Sequence, residues 1–124
     1  MVTMKDTRQA EGDFRAQVVG VIVSGRPEAA LQLLSKHYEV DEPNLRVGTV
    51  KRHRKVLACY VEREKRIYLS KSDLVTDPFV ILHEFYHHLR ASGVKRGQVE
   101  KRADEFALGF IRSFNLSARR WREC

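Results

Sequence analysis

Two helix-forming segments joined by five residues, Gly93 to Gly97, constrain this chain more than any other feature. The first opens on Thr76 or Asp77 as cap, carries Pro78 in its first turn and is expected to run to Ser92, where Gly93 supplies a left-handed stop. The second starts at Gln98. So short a link makes the two helices antiparallel neighbours. Ile81, Leu82, Phe85 and Leu89 share one arc of the first helix. Val99, Ala103, Phe106, Ala107, Phe110, Ile111 and Phe114 form a stripe along the second. These faces are predicted to be core, which leaves the opposite arc of the first helix for a cleft.

That arc carries His83 and His87, one helical turn apart, with Glu84 between them in sequence. Positions i and i+4 share a helix face, so both imidazoles reach one metal ion while Glu84 points to the adjacent sector. A catalytic zinc takes three protein ligands and keeps a fourth position open, and two histidines with one glutamate form such a set. Glu100 is the expected third ligand: His87 lies shortly before the first helix ends and Glu100 shortly after the second begins, so the two stand at similar height. Asp104, one turn along the returning helix, then falls level with His83. A ligating histidine donates its second ring N–H to a group that fixes its tautomer, and Asp104 is assigned that role.

His83-Glu-Phe-Tyr-His-His88 followed by Glu100-x-x-Ala103-Asp104-x-Phe106-Ala107 resembles the ImmA/IrrE family of small gluzincin-type metallopeptidases. The resemblance spans roughly Leu45 to Phe114. It implies a zincin-like fold, His83, His87 and Glu100 as zinc ligands, and Glu84 as the catalytic carboxylate. It also implies an aspartate supporting a ligand histidine, as in the thermolysin-like clan. Two features depart from the family. Only twelve residues separate His87 from Glu100, a tight link, and no helix-turn-helix partner domain is recognisable. Metzincin spacing is excluded, because Arg90 and Gly93 stand where that pattern requires Gly and His.

The expected chemistry is zinc-assisted peptide hydrolysis, with Glu84 as general base and then general acid. The expected enzyme is an endopeptidase acting on a protein or peptide. The competing reading is a non-hydrolytic binding or regulatory module that keeps zinc for structure, and Glu84 separates the two, since a structural site needs no carboxylate beside an open position. An extra oxyanion donor is expected from among Tyr86, His88, Tyr60, Tyr68 and His53, and spacing does not choose between them.

Upstream, Asp13 to Ser24 reads as a helix with Phe14, Val18, Val21 and Ile22 inward, although Val18 to Val23 also permits a strand. Pro27 to Tyr38 reads as a second helix, preceded by Ser24 or Gly25. From Leu45 the pattern turns extended: Leu45 to Val50, Val56 to Val61 and Arg66 to Ser70, with charged turns at Lys51 to Lys55 and Glu62 to Lys65. Alternation in Leu57, Cys59, Val61 and in Ile67, Leu69 predicts a small antiparallel meander with that face on the helices, Cys59 being a small core residue. The last strand is expected to border the cleft, where an extended peptide could pair with it. The fold class is α+β: N-terminal helices, about three strands, the metal-site helix and the antiparallel glutamate helix.

The 124 residues fit one domain that buries about two thirds of its unfolded surface, with residues 1–12 and 117–124 read as tails. Cys59 and Cys124 make no disulfide framework, and the longest apolar run is too short to span a bilayer, so a cytoplasmic protein is expected. Residues 51–124 carry seventeen Lys/Arg against nine Asp/Glu, whereas residues 1–50 carry six against seven. A basic surface of this kind suits acidic partners or nucleic acid, and a substrate that itself sits on DNA, such as a repressor, fits both the charge and the resemblance. Direct nucleic-acid binding is the less favoured reading, because no recognition motif accompanies the charge.

Overall fold

The computed structural model describes residues 4–48, 56–91 and 99–123, with side chains resolved over 8–48, 56–91 and 99–119. Their order is α1 (Met4–Val23), α2 (Pro27–Tyr38), β1 (Asn44–Val47), β2 (Ala58–Val61), β3 (Arg66–Leu69), α3 (Pro78–Leu89) and α4 (Val99–Glu123), with 3-10 turns at Glu62–Glu64 and Ser72–Thr76. The expected links Lys51 to Lys55 and Gly93 to Gly97 lie outside the described residues.

Between helix and strand for residues 13–24, the structure takes helix, because Phe14, Val18 and Ile22 repeat every four residues and line one buried face. Helix α1 also begins at Met4, within the expected tail. Pairs one turn apart, the exposed Gln9 with Asp13 and the half-buried Glu11 with Arg15, support that added length. Likewise α4 continues through Glu123, so residues 117–123 are helical where a tail was expected. Helix α2 has the predicted bounds, but Ser24 and Gly25 finish α1 instead of starting α2: Gly25 takes φ 89° and its N–H meets the Ile22 carbonyl at 2.9 Å. Arg26 precedes Pro27 without capping the helix by its side chain.

The sheet is mixed, which corrects the antiparallel meander. Its order is β1-β3-β2, with β1 parallel and β2 antiparallel to β3. The strand with the most buried side chains takes the centre: Ile67 and Leu69 are fully buried, whereas β1 is largely exposed and β2 half-buried. The inward set of β2 is also shifted by one residue. Ala58 and Tyr60 pack on the core opposite Leu69 and Ile67, while Leu57 stands exposed ahead of the strand and Cys59 pairs with Tyr68. A one-residue change of register exchanges the two faces of a strand, and Ala and Tyr are weaker core signals than Leu, Cys and Val.

One core joins the elements. Val18, Val19 and Ile22 of α1, Leu31 and Leu34 of α2, Ile67 and Leu69 of β3, Ile81, Leu82 and Phe85 of α3, and Ala107 and Phe110 of α4 all meet in it. Helix α4 packs along both α1 and α3. Phe106 is 6.5 Å from Phe85 and 4.9 Å from Phe110, ring centre to ring centre, which ties α3 to α4 directly behind the histidine face. Among the described residues no helix is long and apolar enough to cross a membrane.

Because Phe85 is fully buried, Phe85→Ala is expected to cost about 3–5 kcal/mol in urea unfolding, against under about 0.5 kcal/mol for the exposed Leu116→Ala. Similar losses for both would contradict the core described.

Candidate metal centre

Helix α3 is held at its start by Asp77, whose carboxylate accepts from the backbone N–H of Phe79 at 3.0 Å and Val80 at 3.3 Å, with Pro78 next in sequence. It ends at Leu89, earlier than the predicted Ser92, in a turn where the Arg90 N–H reaches the Tyr86 carbonyl at 3.0 Å. With Ile81, Leu82 and Phe85 buried, the opposite face presents His83 and His87 toward the first turns of α4. Glu100 sits in the first turn of α4, where the helix dipole favours an anion.

The four residues meet in the predicted antiparallel register. His83 Nδ1–H donates to Asp104 Oδ1 at 2.9 Å. His83 Nε2 is 3.0 Å from Glu100 Oε2, His87 Nε2 is 2.8 Å from Glu100 Oε1, and the two Nε2 atoms are 3.2 Å apart. The tautomer that gives its Nδ1 hydrogen to Asp104 turns the Nε2 lone pair of His83 toward Glu100. In that tautomer, with His87 turned the same way, two imidazole nitrogens and two carboxylate oxygens converge on one point as a donor set that a cation can accept. Ligands held tetrahedrally at about 2.0–2.1 Å from zinc stand about 3.3–3.4 Å apart. The observed separations lie just inside that spacing, so the donor set fits a zinc-sized ion after a small outward adjustment. Burial holds the His87 imidazole below its ordinary value against the pull of Glu100, which favours the neutral, ligating form.

Glu84 is different in kind. Its carboxylate also lies within 4.8 Å of the imidazole nitrogens, so proximity alone would admit it as a ligand. Yet Glu100 is the group that touches both rings, and Glu84 hydrogen-bonds to neither. It is only 7% exposed, and burial, aided by the negative Glu100 and opposed by His83, pushes its carboxyl up to about 7. A carboxyl with that value beside a donor triad is poised to exchange a proton near neutral pH.

Glu84, His87 and Glu100 open onto a cleft of about 470 Å³ whose other wall includes Ala58, Cys59 and Tyr60. The bordering strand is thus β2, correcting the expectation for β3: β3 is central, and β2 has β3 as its one strand neighbour among the described residues. Cys59 lines this cleft, and burial pushes its thiol up, with Glu84 and Glu64 adding to the effect.

The candidate oxyanion donors separate as well. Tyr68 is held by Glu64 at 2.6 Å and Arg66 at 3.3 Å, and Tyr86 is buried beside Phe106 with the Arg90 guanidinium 5.9 Å from its ring centre. His53 lies outside the described residues. His88 is buried and bonded through both ring nitrogens, one of them to Tyr60. Of the described members of the group, Tyr60 alone lines the cleft. Sequence reasoning did not pair Tyr60 with His88; the one available signal was that His88 falls on the Glu84 side of the helix.

Comparison with protein-family models, with curated proteins and with solved structures returns no match to this chain.

Raising a buried carboxyl to about 7 has a consequence for stability. The unfolded chain releases this proton from about pH 4.5 upward, so the metal-free fold loses stability as pH rises toward about 7 and carries the full penalty, on the order of 3 kcal/mol, above it. Glu84→Gln is expected to stabilise the metal-free protein by about 2–3 kcal/mol at pH 8 and by nothing at pH 4, read by urea titration. A difference that does not change with pH would contradict the burial assigned to Glu84.

Proposed function

We propose that this chain is a zinc-dependent endopeptidase of the gluzincin type that hydrolyses peptide bonds in a protein substrate. The observation that carries the reading is the convergence of His83, His87 and Glu100 within 2.8–3.2 Å of one another, beside a buried carboxylate in an open cleft. A purely structural zinc site is closed by four protein ligands, whereas three ligands and an adjacent acid match a catalytic one. The likeness of residues 83–88 and 100–107 to the ImmA/IrrE pattern supports the same reading.

His83, His87 and Glu100 would hold the ion, which when bound supplies Lewis acidity toward a carbonyl and lowers the pKa of water toward about 7. Glu84, as the carboxylate, takes a proton from the attacking water on its oxygen and passes it to the nitrogen of the departing amine. Asp104 keeps the hydrogen of His83 on Nδ1 and so leaves Nε2 free to ligate. Among the described residues the edge of strand β2 away from β3 has no strand partner, and it lies beside Glu84 where an extended peptide can pair with it. The net charge of +7 favours acidic partners, including a DNA-bound regulator as substrate. Two cysteines without a disulfide framework suit a reducing cytoplasm.

Metal content and hydrolysis of a quenched-fluorescent peptide library test the reading. The native chain is expected to bind about one zinc and cleave, and Glu84→Gln to keep the zinc while losing about 10²–10⁴ in rate. Stoichiometric zinc with no turnover in the native chain would favour a non-hydrolytic zinc module. Asp104→Asn is expected to weaken zinc affinity about 10- to 100-fold, measured by chelator competition; an unchanged affinity would remove Asp104 from the site.

A further inference from the structure

His88 follows a ligand in sequence and takes no part in the triad. Its ring is buried, with Nε2 2.6 Å from the Asp41 backbone oxygen and Nδ1 2.7 Å from the Tyr60 hydroxyl. A carbonyl oxygen only accepts, so Nε2 carries the ring hydrogen. In the neutral imidazole Nδ1 is then an acceptor, and the Tyr60 O–H must donate to it. Burial raises the Tyr60 phenol further above its already high value, so the hydroxyl keeps its hydrogen. A phenol has one hydrogen, and this one is committed to His88. What Tyr60 has left to offer the cleft it lines with Glu84 and His87 is oxygen lone-pair density.

That assignment conflicts with a role for Tyr60 as oxyanion donor, which would need the same hydrogen. We infer that Tyr60 is a substrate-binding acceptor: its phenolic oxygen, aimed by His88 and the Asp41 carbonyl, takes a hydrogen bond from a backbone N–H of the bound peptide. The inference rests on the endopeptidase reading and adds a substrate class to it. The peptide must carry a secondary amide at the position that meets Tyr60, so proline or an N-methylated residue is rejected there. The same bonds tie β2 to α3 and to the segment between α2 and β1, which holds the acceptor in place before substrate arrives.

The test pairs Tyr60→Phe with a positional N-methyl scan of a peptide that the native chain cleaves. Beside any positions that pair with β2, the native chain is expected to show one position near the cut where N-methylation raises KM about three- to tenfold, the worth of one neutral hydrogen bond, and where Tyr60→Phe removes that sensitivity. Tyr60→Phe should raise KM by the same factor for the parent peptide, leave kcat within about twofold, and be indifferent to methylation at that position. A fall in kcat at unchanged KM would instead make the hydroxyl an oxyanion donor, and no change in either would reduce it to a structural tie. Both results overturn the inference. Long-range proton–nitrogen NMR of the full chain checks the tautomer without any activity: His88 Nδ1 is expected to be unprotonated and Nε2 protonated, and the reverse overturns it. If Tyr60→Phe does not fold, the N-methyl scan on the native chain still decides, since the absence of any sensitive position contradicts the proposal. If the native chain cleaves no peptide, the endopeptidase reading falls, and fluorescence-anisotropy binding of the same peptides, parent against N-methylated, decides the role of Tyr60 separately.

Discussion

The antiparallel contact of α3 with α4 is the constraint on which the rest depends. It sets the Glu100 carboxylate against two imidazole nitrogens at 2.8 and 3.0 Å and Asp104 against the far side of His83 at 2.9 Å. Slide either helix by one turn and Glu100 no longer reaches both imidazoles. What prevents the slide is apolar: Phe85, Phe106 and Phe110 interlock behind the site, and α4 is held on its other side by α1. The long helices thus serve the short one. Packing density in such a layer leaves little room for partial displacement, so the polar register inherits the precision of the core.

The site sets stability against chemistry. Glu84 is buried at the wall of the cleft, and burial shifts its carboxyl toward the neutral form. A buried acid raised to about 7 suits a site where a proton moves near neutral pH, which is the role proposed for it. Glu100 faces the opposite balance. Its side chain is 76% exposed and depends on the histidines for its position. One acid is tuned by burial and the other left in water, a division suited to a base and a ligand respectively.

The meeting of His83 and His87 with Glu100 and Asp104 was legible from the chain because it depends on two local properties, helical periodicity and a link of known length. Spacing of His83, His87, Glu100 and Asp104 therefore predicted which side chains meet. The sheet was less legible. Its strands have four residues each, too few for alternation to fix the phase, and in β2 the pattern of Leu57, Cys59 and Val61 pointed to the wrong face. Strand order was hidden for a related reason: which strand sits in the middle is decided by burial against helices distant in sequence, and Ile67 and Leu69 won that place. The Tyr60–His88 bond joins residues 28 apart and exists only because β2 is the edge strand beside α3. No local pattern encodes it.

The central claim is that one divalent cation is shared by side chains from two helices. Zinc-edge X-ray absorption of the protein purified and reconstituted with one equivalent of zinc tests it most directly. The expected spectrum has two imidazole shells and carboxylate oxygen at about 2.0–2.2 Å, and loses one imidazole in His87→Ala. A spectrum of fully hydrated zinc, or one unaltered by that substitution, would contradict the account.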